Sequence, residues 1–449
     1  MFNRRKVMQL TAGALAGGFA PAQASPLGGL AAGLGRALRV LVPDGSQANV
    51  RSVIDNFEAA HGCKVEMIVS DLDDINATLM LEAMLPDLGI DVALPATFGI
   101  PDLSEAGAIL PLDHFAAEQG ISSPGGIGDR FDDRLWGFQT DGDVYLMFYN
   151  RDMLEDPQHG AHYADTTGTP LAIPQTWEEL DRQMAFFHRP EQGRFGGCLY
   201  RTASYAAWEW WARLHARGGM PFDDDCRADV ANDAGVGALE AMIAASQHQT
   251  GAELGMFDNW KRYDRGDIYA DIGWGGTQKA LHQIGAKMRG RVANGPLPGG
   301  EAGALSYFNW GWSYVVARHC NAPALAYGFC DFAVSKGPSA DAVAAVDGYF
   351  DPFRPEHYDD PRIIDVYGAS FLKEHRKAMA RPIPDLYIGR RQEYWDSLTM
   401  WLLRTLEGHV DPATALRNVA DRWDSITERV SPEQQRARWH ALRATYPQV

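Results

Sequence analysis

Short apolar segments alternate with amphipathic ones from residue 37 onward, and this alternation restricts the fold more than any other feature of the chain. Residues 37–42 (Ala-Leu-Arg-Val-Leu-Val) read as a strand. Residues 46–60 follow as a helix with Val50, Val53, Ile54 and Phe57 on one face, and Gly62 is its stop signal. Residues 65–69 give a second strand. A helix capped by Asp73 or Asp74 then runs through Leu85, and residues 90–94 give a third strand. Such alternation predicts an α/β fold whose mostly parallel sheet is covered by helices on both faces. At 449 residues the chain has room for two or three such lobes.

Further along, Leu135 to Asn150 is a polar, glycine-marked patch feeding a strongly apolar strand, a natural crossover between two lobes. Thr176-Trp177-Glu178-Glu179 forms a capping box that opens a helix through His188. Trp208-Glu209-Trp210-Trp211 opens another helical stretch, and residues 268–276 form a strand running into a glycine turn. Gly295-Pro296-Leu297-Pro298-Gly299-Gly300 is a second candidate crossing point. Residues 314–317 read as a strand and 322–334 as a helix. The tail is helical over 392–407, and again from Asp411, the N-cap, with Pro412 at the first helical position.

The N-terminus carries a separate message. Arg4, Arg5 and Lys6 precede a mildly apolar stretch, and Ala22-Gln23-Ala24 offers the small residues of a cleavage site. The apolar stretch is about 11 residues, well short of the ~20 that span a bilayer. Residues 1–24 are therefore expected to be an export signal, and the paired arginines mark it as the twin-arginine type. A Gly- and Ala-rich leader, 28–35, follows. No cysteine lies near the cleavage site, so the product is expected free in the periplasm, not inserted in the membrane. A formal net charge of −17 argues against nucleic acid and anionic lipid as partners. The five cysteines are expected to be buried thiols, with Cys198–Cys226 the one pairing to consider; Cys320 and Cys330 are expected on one helix, too far apart to join.

The order of these pieces resembles the extracellular solute-binding proteins of sugar ABC transporters, the group that includes maltose-binding protein. Gly107-Ala108-Ile109-Leu110-Pro111-Leu112-Asp113 is similar to the family's "G-x-L-x-P-L-D" turn. Trp136-Gly137 through Tyr149-Asn150-Arg151-Asp152-Met153-Leu154 is similar to its "G-x-P…YN-x-D-L" crossover. Pro174-Gln175-Thr176-Trp177-Glu178-Glu179-Leu180 is similar to "P-x-TW-E-E-L". Leu297-Pro298-Gly299, the patch from Asn309 to Trp312 and the Ala-rich helix after Pro323 follow in the expected order. The resemblance implies a two-lobed periplasmic binding protein of type II with ligand held in the cleft between lobes. It implies lobes made of 36–142 with 293–336 and of 143–292 with 337–449. It further implies an inner-membrane ABC permease as partner, and a monomer is expected. The chain departs from the family at Asp271-Ile272-Gly273-Trp274-Gly275-Gly276-Thr277, where a Trp stands among glycines, and at Gly348-Tyr349-Phe350-Asp351-Pro352-Phe353-Arg354, which is more aromatic and acidic. No particular sugar transfers.

A sugar offers apolar C–H faces, which stack on flat rings, and hydroxyls, which carboxylates, amides and Arg bind directionally. The 13 Trp include several beside glycines or in loops, and Trp274, Trp310, Trp312 and Trp208 are the candidate stacking residues. Asp141 and Asp143 bracket Gly142 at the first crossover, where turn chemistry is the competing explanation. Asp351 and Arg354 are a candidate hydroxyl or anion clamp, with a mutual salt bridge as the alternative. Thr97 and Gln139 follow predicted strand ends, where open sheets bind ligands, and Tyr387 precedes a helix that the family uses near its cleft.

Catalysis finds little support. The chain has no Gly-x-Ser-x-Gly elbow, P-loop or Gly-x-Gly-x-x-Gly after a strand. His159 and His162, in a polar loop, lack a third metal ligand, and no cofactor is called for. Alternatives remain within the binding class: an anionic sugar held by Arg354 or Arg201, or a cationic amine or polyamine caged by Trp and Asp. A twin-arginine-exported enzyme and a sensor without transport are the rivals outside it.

Overall fold

The computed structural model describes residues 26–250, 255–300, 303–308, 311–380 and 382–447, so the expected export segment and Trp310 lie outside the described residues. The expected alternation is present as strand Leu38–Pro43, helix Gln47–His61, strand Val65–Ser70, helix Ile75–Met84 and strand Val92–Ala93. Val50, Val53, Ile54 and Phe57 form the buried face of the first helix, and Gly62 ends it in the left-handed region at φ 67°. These three strands pair in parallel. Ser313–Val316 and Gly137–Gln139 complete a five-stranded sheet by antiparallel pairing.

A second five-stranded sheet runs in the order Gly303–Leu305, Val292–Gly300, Leu146–Asn150, Ile268–Gly273, Phe195–Gly197. The α/β architecture of two helix-flanked sheets is thus the one expected, but strand direction differs. In this second sheet only the pairing of Phe195–Gly197 with Ile268–Gly273 is parallel among the described residues. Leu146–Asn150 arrives directly from the other sheet and runs against both its neighbours.

Three passages join the sheets. The first lies between Gly137–Gln139 and Leu146–Asn150, and the second between Gly303–Leu305 and Ser313–Val316. The third follows helix Lys336–Val343, which packs on helix Gln47–His61 beside the first sheet. It ends at helix Ala369–Met379, which packs on Val292–Gly300. Two expected boundaries move accordingly. Residues 293–300 belong by hydrogen bonding to the second sheet, so Gly295 to Gly300 is a strand rather than a crossing. Residues 337–343 sit with the first sheet. Backbone pairing, which is invisible in a glycine-proline run, decides the first case.

Other local expectations hold or shift. Thr176 Oγ1 accepts from Glu179 N at 3.2 Å and Glu179 returns a bond to Thr176 N, so the capping box heads helix Trp177–Phe187. Asp411 caps Pro412–Val430 through Thr414 N. The Gly-Ala leader is a helix, Pro26–Leu34, with Leu27 packed where Gly328 has no side chain. Cys198 and Cys226 are both free thiols, as are the other three, and Cys320 precedes helix Pro323–Ala333 instead of lying on it. His159 and His162 lie on helix Pro157–Thr167, not in a loop, and His159 Nδ1 contacts Met153 O at 3.1 Å.

The C-terminal helices Arg391–Leu406 and Pro412–Val430 pack on Ala206–Ala216 and Asp233–Ser246 beside the second sheet. A buried ionic group anchors this layer. Arg213 donates to Asp181 at 2.8 Å on both oxygens and to Glu209 at 2.9 Å, with its guanidinium 4.1 Å from the Trp177 ring centre. Burial alone would raise the Glu209 carboxyl, yet Arg201 and Arg213 together hold it below the usual range.

Candidate ligand cleft

The passages between the sheets meet at the floor of a cavity of about 350 Å³ lined from both lobes. Its walls are aromatic: Tyr205, Trp208, Trp274, Trp312, Tyr349 and Trp395 all reach it. Trp274 follows strand Ile268–Gly273 and starts helix Gly275–His282. Its ring lies edge-on to Tyr145 at 5.4 Å and parallel to Tyr205 at 6.2 Å. The glycines after it are needed for close approach. A Cβ on Gly275 would fall 2.2 Å from the Asp351 carboxylate, and one on Gly276 2.9 Å from Tyr349. Trp312 precedes strand Ser313–Val316 and lies 6.1 Å from Tyr349. Trp208, on helix Ala206–Ala216, donates Nε1 to Asp385 Oδ2 at 3.2 Å. At the mouth, Ser204 Oγ reaches across to Asp73 Oδ2 at 3.1 Å.

The floor is acidic. Asp141, Asp143 and Asp351 each bring an oxygen within 4.8 Å of the others, and all three are buried. Asp143 lines the cleft, whereas Asp141 and Asp351 lie behind it. Asp351 accepts from Gly275 N at 2.6 Å and from Tyr367 Oη at 3.1 Å. Asp141 Oδ1 accepts from Asp351 N at 2.6 Å. No donor reaches Asp141 Oδ2 or Asp143 Oδ1. Burial, then mutual repulsion, pushes Asp141 and Asp143 well above the carboxylate range. Asp351, which Lys279 partly steadies, is raised by burial to about 7. Lys279 itself is pushed down to about 8 by burial, against the attraction of Asp351 and Asp141, and donates to Ala345 O at 3.0 Å.

Of the sequence-predicted residues, Trp208, Trp274, Trp312 and Asp143 line the cleft, with Asp141 and Asp351 directly behind. Trp310 lies outside the described residues. Four others are engaged elsewhere. Arg354 donates to Ser122 O at 3.0 Å and Val334 O at 2.7 Å, so neither the clamp nor a salt bridge with Asp351 forms. Thr97 Oγ1 bonds Ser313 Oγ at 2.7 Å inside the first sheet layer. Gln139 Nε2 donates to Asp141 O at 2.8 Å, supporting the crossover from behind. Tyr387 donates to Gly128 O at 2.8 Å and borders a different cavity, beside Arg438. Arg201, the other candidate anion anchor, is paired with Glu209 at 2.8 Å.

Tyr205, Tyr349, Trp395 and Arg391 also line the cleft and are not expected there from the sequence. Arg391 is sandwiched 4.0 Å from Phe98 and 4.3 Å from Trp395 and paired with Asp385 at 2.7 Å. Tyr349 could have been found, since it stands in the aromatic-acidic passage singled out for Asp351; Arg391 begins an ordinary amphipathic helix and carries no such signal.

A family model described as bacterial extracellular solute-binding protein matches residues 52–366. No curated protein sequence matches the chain significantly. Among solved structures, maltose-bound T. maritima MalE3 superposes with a TM-score of 0.74 at 16% identity, covering 87% of this chain and 100% of that one. The GacH receptor of Streptomyces glaucescens, studied unliganded and with acarbose, gives 0.72 at 19% identity over 88% and 99% of the two chains. An ABC transporter solute binding protein from Agrobacterium radiobacter in complex with ribitol gives 0.72 at 16% identity over 87% and 99%. At these identities the superpositions establish a shared fold.

Proposed function

Since the chain belongs to the bacterial extracellular solute-binding protein family, we propose that it captures a carbohydrate or related polyhydroxylated solute between its two sheets and delivers it to an inner-membrane ABC permease. Members of this family are carriers and not catalysts. The observation that carries the ligand class is the cleft itself: flat rings on the walls and carboxylates on the floor, in a volume of about 350 Å³. That lies near the small end of the roughly 300–1,000 Å³ of small-molecule sites, which favours a ligand of one or two rings. Maltose, acarbose and ribitol in the structural neighbours fit the same class.

Release is by hinge opening at the three passages, with lobes built on the two sheets and rejoined by the C-terminal helices. Delivery requires export, and Arg4-Arg5 with Ala22-Gln23-Ala24 supports a twin-arginine route to the periplasm as a free monomer. Among the described residues no helix is long and apolar enough to cross a membrane. The anionic-sugar alternative loses its anchors, because neither Arg354 nor Arg201 lines the cleft.

The test is thermal unfolding of the purified protein against neutral sugars, polyols, sugar acids and amines. A ligand at a hundred times its Kd adds about 2.7 kcal/mol to folding. Stabilisation by a carbohydrate supports the proposal; a response confined to non-carbohydrate solutes rejects it.

A further inference from the structure

The floor of the cleft holds more carboxyl groups than a neutral sugar requires. A hydroxyl needs one acceptor, yet three buried carboxylates converge within 4.8 Å. Lys279, the nearest cation, is directed to Ala345 O and lies 5.1 Å from the centre of the Tyr367 ring. Arg391, the cation of the lining, is neutralised by Asp385 at 2.7 Å. Asp351 has donors on both oxygens and Asp141 on one, which leaves Asp141 Oδ2 and Asp143 Oδ1 without any. Both of these oxygens are buried, and Asp143 also shares a hydrogen bond with Asp351; Asp143 as a whole is 6% exposed and lines the cleft.

What lies above these oxygens is equally specific. Gly311, at φ 48°, borders the cleft and packs directly on Asp141, where a Cβ would sit 2.7 Å from Asp141 Cβ; Asp143 is the acid of the three that reaches the cleft. Trp274, Trp312 and Tyr349 present ring surfaces to the same space. Electron-rich rings over desolvated carboxylates attract an organic cation. Calcium and magnesium want six or more oxygen ligands, and two donor-free carboxylate oxygens beneath indole rings do not provide them.

We propose that the ligand carries a protonated amine whose ammonium group docks on Asp143 beneath Trp274, Trp312 and Tyr349, making it an aminated sugar or polyol. The inference rests on the carbohydrate proposal for the remainder of the ligand. Asp143 faces Asp141 and Asp351 from the two passages, Lys279 from its helix, and Tyr205, Tyr349 and Tyr367 around them. Burial and mutual repulsion favour the protonated forms of Asp141 and Asp143 in the empty cleft, so an arriving ammonium releases the Asp143 proton to solvent as the ion pair forms.

The experiment is isothermal titration at pH 7.5 with matched pairs: D-glucamine against D-sorbitol, and D-glucosamine against D-glucose. The amine of a pair should bind at least about tenfold more tightly. Its enthalpy should vary with the ionisation heat of the buffer, reporting proton release. Asp143→Asn, with an unchanged far-ultraviolet spectrum, should bring the amine down to its neutral partner. If the neutral members bind as tightly and Asp143→Asn weakens both alike, the ammonium site is wrong and carbohydrate capture stands. If putrescine binds and no carbohydrate does, carbohydrate capture fails and the ammonium site stands. Stabilisation by calcium or magnesium chloride that disappears in Asp143→Asn assigns the cluster to a metal and overturns the inference; silence from every probe counts against both.

Discussion

The backbone N–H of Asp351 donates to Oδ1 of Asp141 at 2.6 Å, tying the third passage between the sheets to the first. The bond is doubled by Gly142 N, which donates to Asp351 O at 3.3 Å. At that crossing a Cβ on Gly142 would lie 2.1 Å from the carbonyl oxygen of Pro352, backbone that cannot swing aside. Gly142→Ala is therefore expected to destabilise the protein by at least about 2 kcal/mol, read as a lowered urea midpoint. An unchanged midpoint means that the passages do not touch there.

Trp274 serves both cleft and core. It is 4% exposed and packed by Tyr145, Tyr200 and Tyr205. Trp274→Ala should cost about 3–5 kcal/mol even without ligand. Trp274→Phe keeps a ring in place; it should unfold close to wild type while weakening carbohydrate binding. The pair of variants, melted with and without ligand, separates the two contributions.

Arg213 is 1% exposed and serves Asp181 and Glu209 together. Removing it leaves Glu209, which is 3% exposed, with Arg201 as its one remaining cationic partner and takes both bonds from Asp181. Arg213→Ala should lose about 3–5 kcal/mol, and the double variant with Glu209→Gln should recover part of that loss. Additive losses in chemical denaturation would show that the pair is not coupled.

The pH dependence has two opposing parts. Burial holds Asp271 at about 8 and Asp351 at about 7, with Asp141 and Asp143 higher than normal as well. The unfolded chain has already lost those protons, so folding takes protons up and stability falls as pH rises toward 8. Each proton retained contributes a slope of about 1.4 kcal/mol per pH unit. Burial holds His215 and His375 at about 4 and His357 at about 3. The unfolded chain protonates those histidines below 6.5, so they lower stability as pH falls through that range. Lys279, at about 8, acts above this window. Above pH 6.5 the acids remain alone, and the melting temperature of the unliganded protein should fall from pH 6.5 to 8. Asp143→Asn should flatten that slope and raise stability at pH 7.5; a slope left unchanged would show that Asp143 is ionised in the folded state.

Much of the framework could be read from short windows of sequence. The box at Thr176, the left-handed stop at Gly62 and the Asp411 cap each depend on residues within a turn of one another, and each forms. Asp141 and Asp143 flank Gly142 at a crossing, and Trp274 stands among glycines that make room for Asp351 and Tyr349. Adjacency misled in other places. Arg354 is three residues from Asp351, yet its guanidinium turns to Ser122 and Val334 while Asp351 turns to Gly275. Thr97 and Gln139 do lie near strand ends, but Ser313 and the Asp141 carbonyl claim their side chains.

Periodicity and capping are written locally because they arise from contacts a few residues apart, so several helices and strands and the first crossing follow from order alone. The composition of the cleft does not. Asp141 meets Asp351, and Asn49 on the first helix meets Tyr349, only after strands far apart in the chain have been assembled into two sheets. Whether a carboxylate is solvated or buried, paired or crowded, is a property of that assembly, because desolvation and Coulomb repulsion depend on neighbours in space and not on neighbours in sequence.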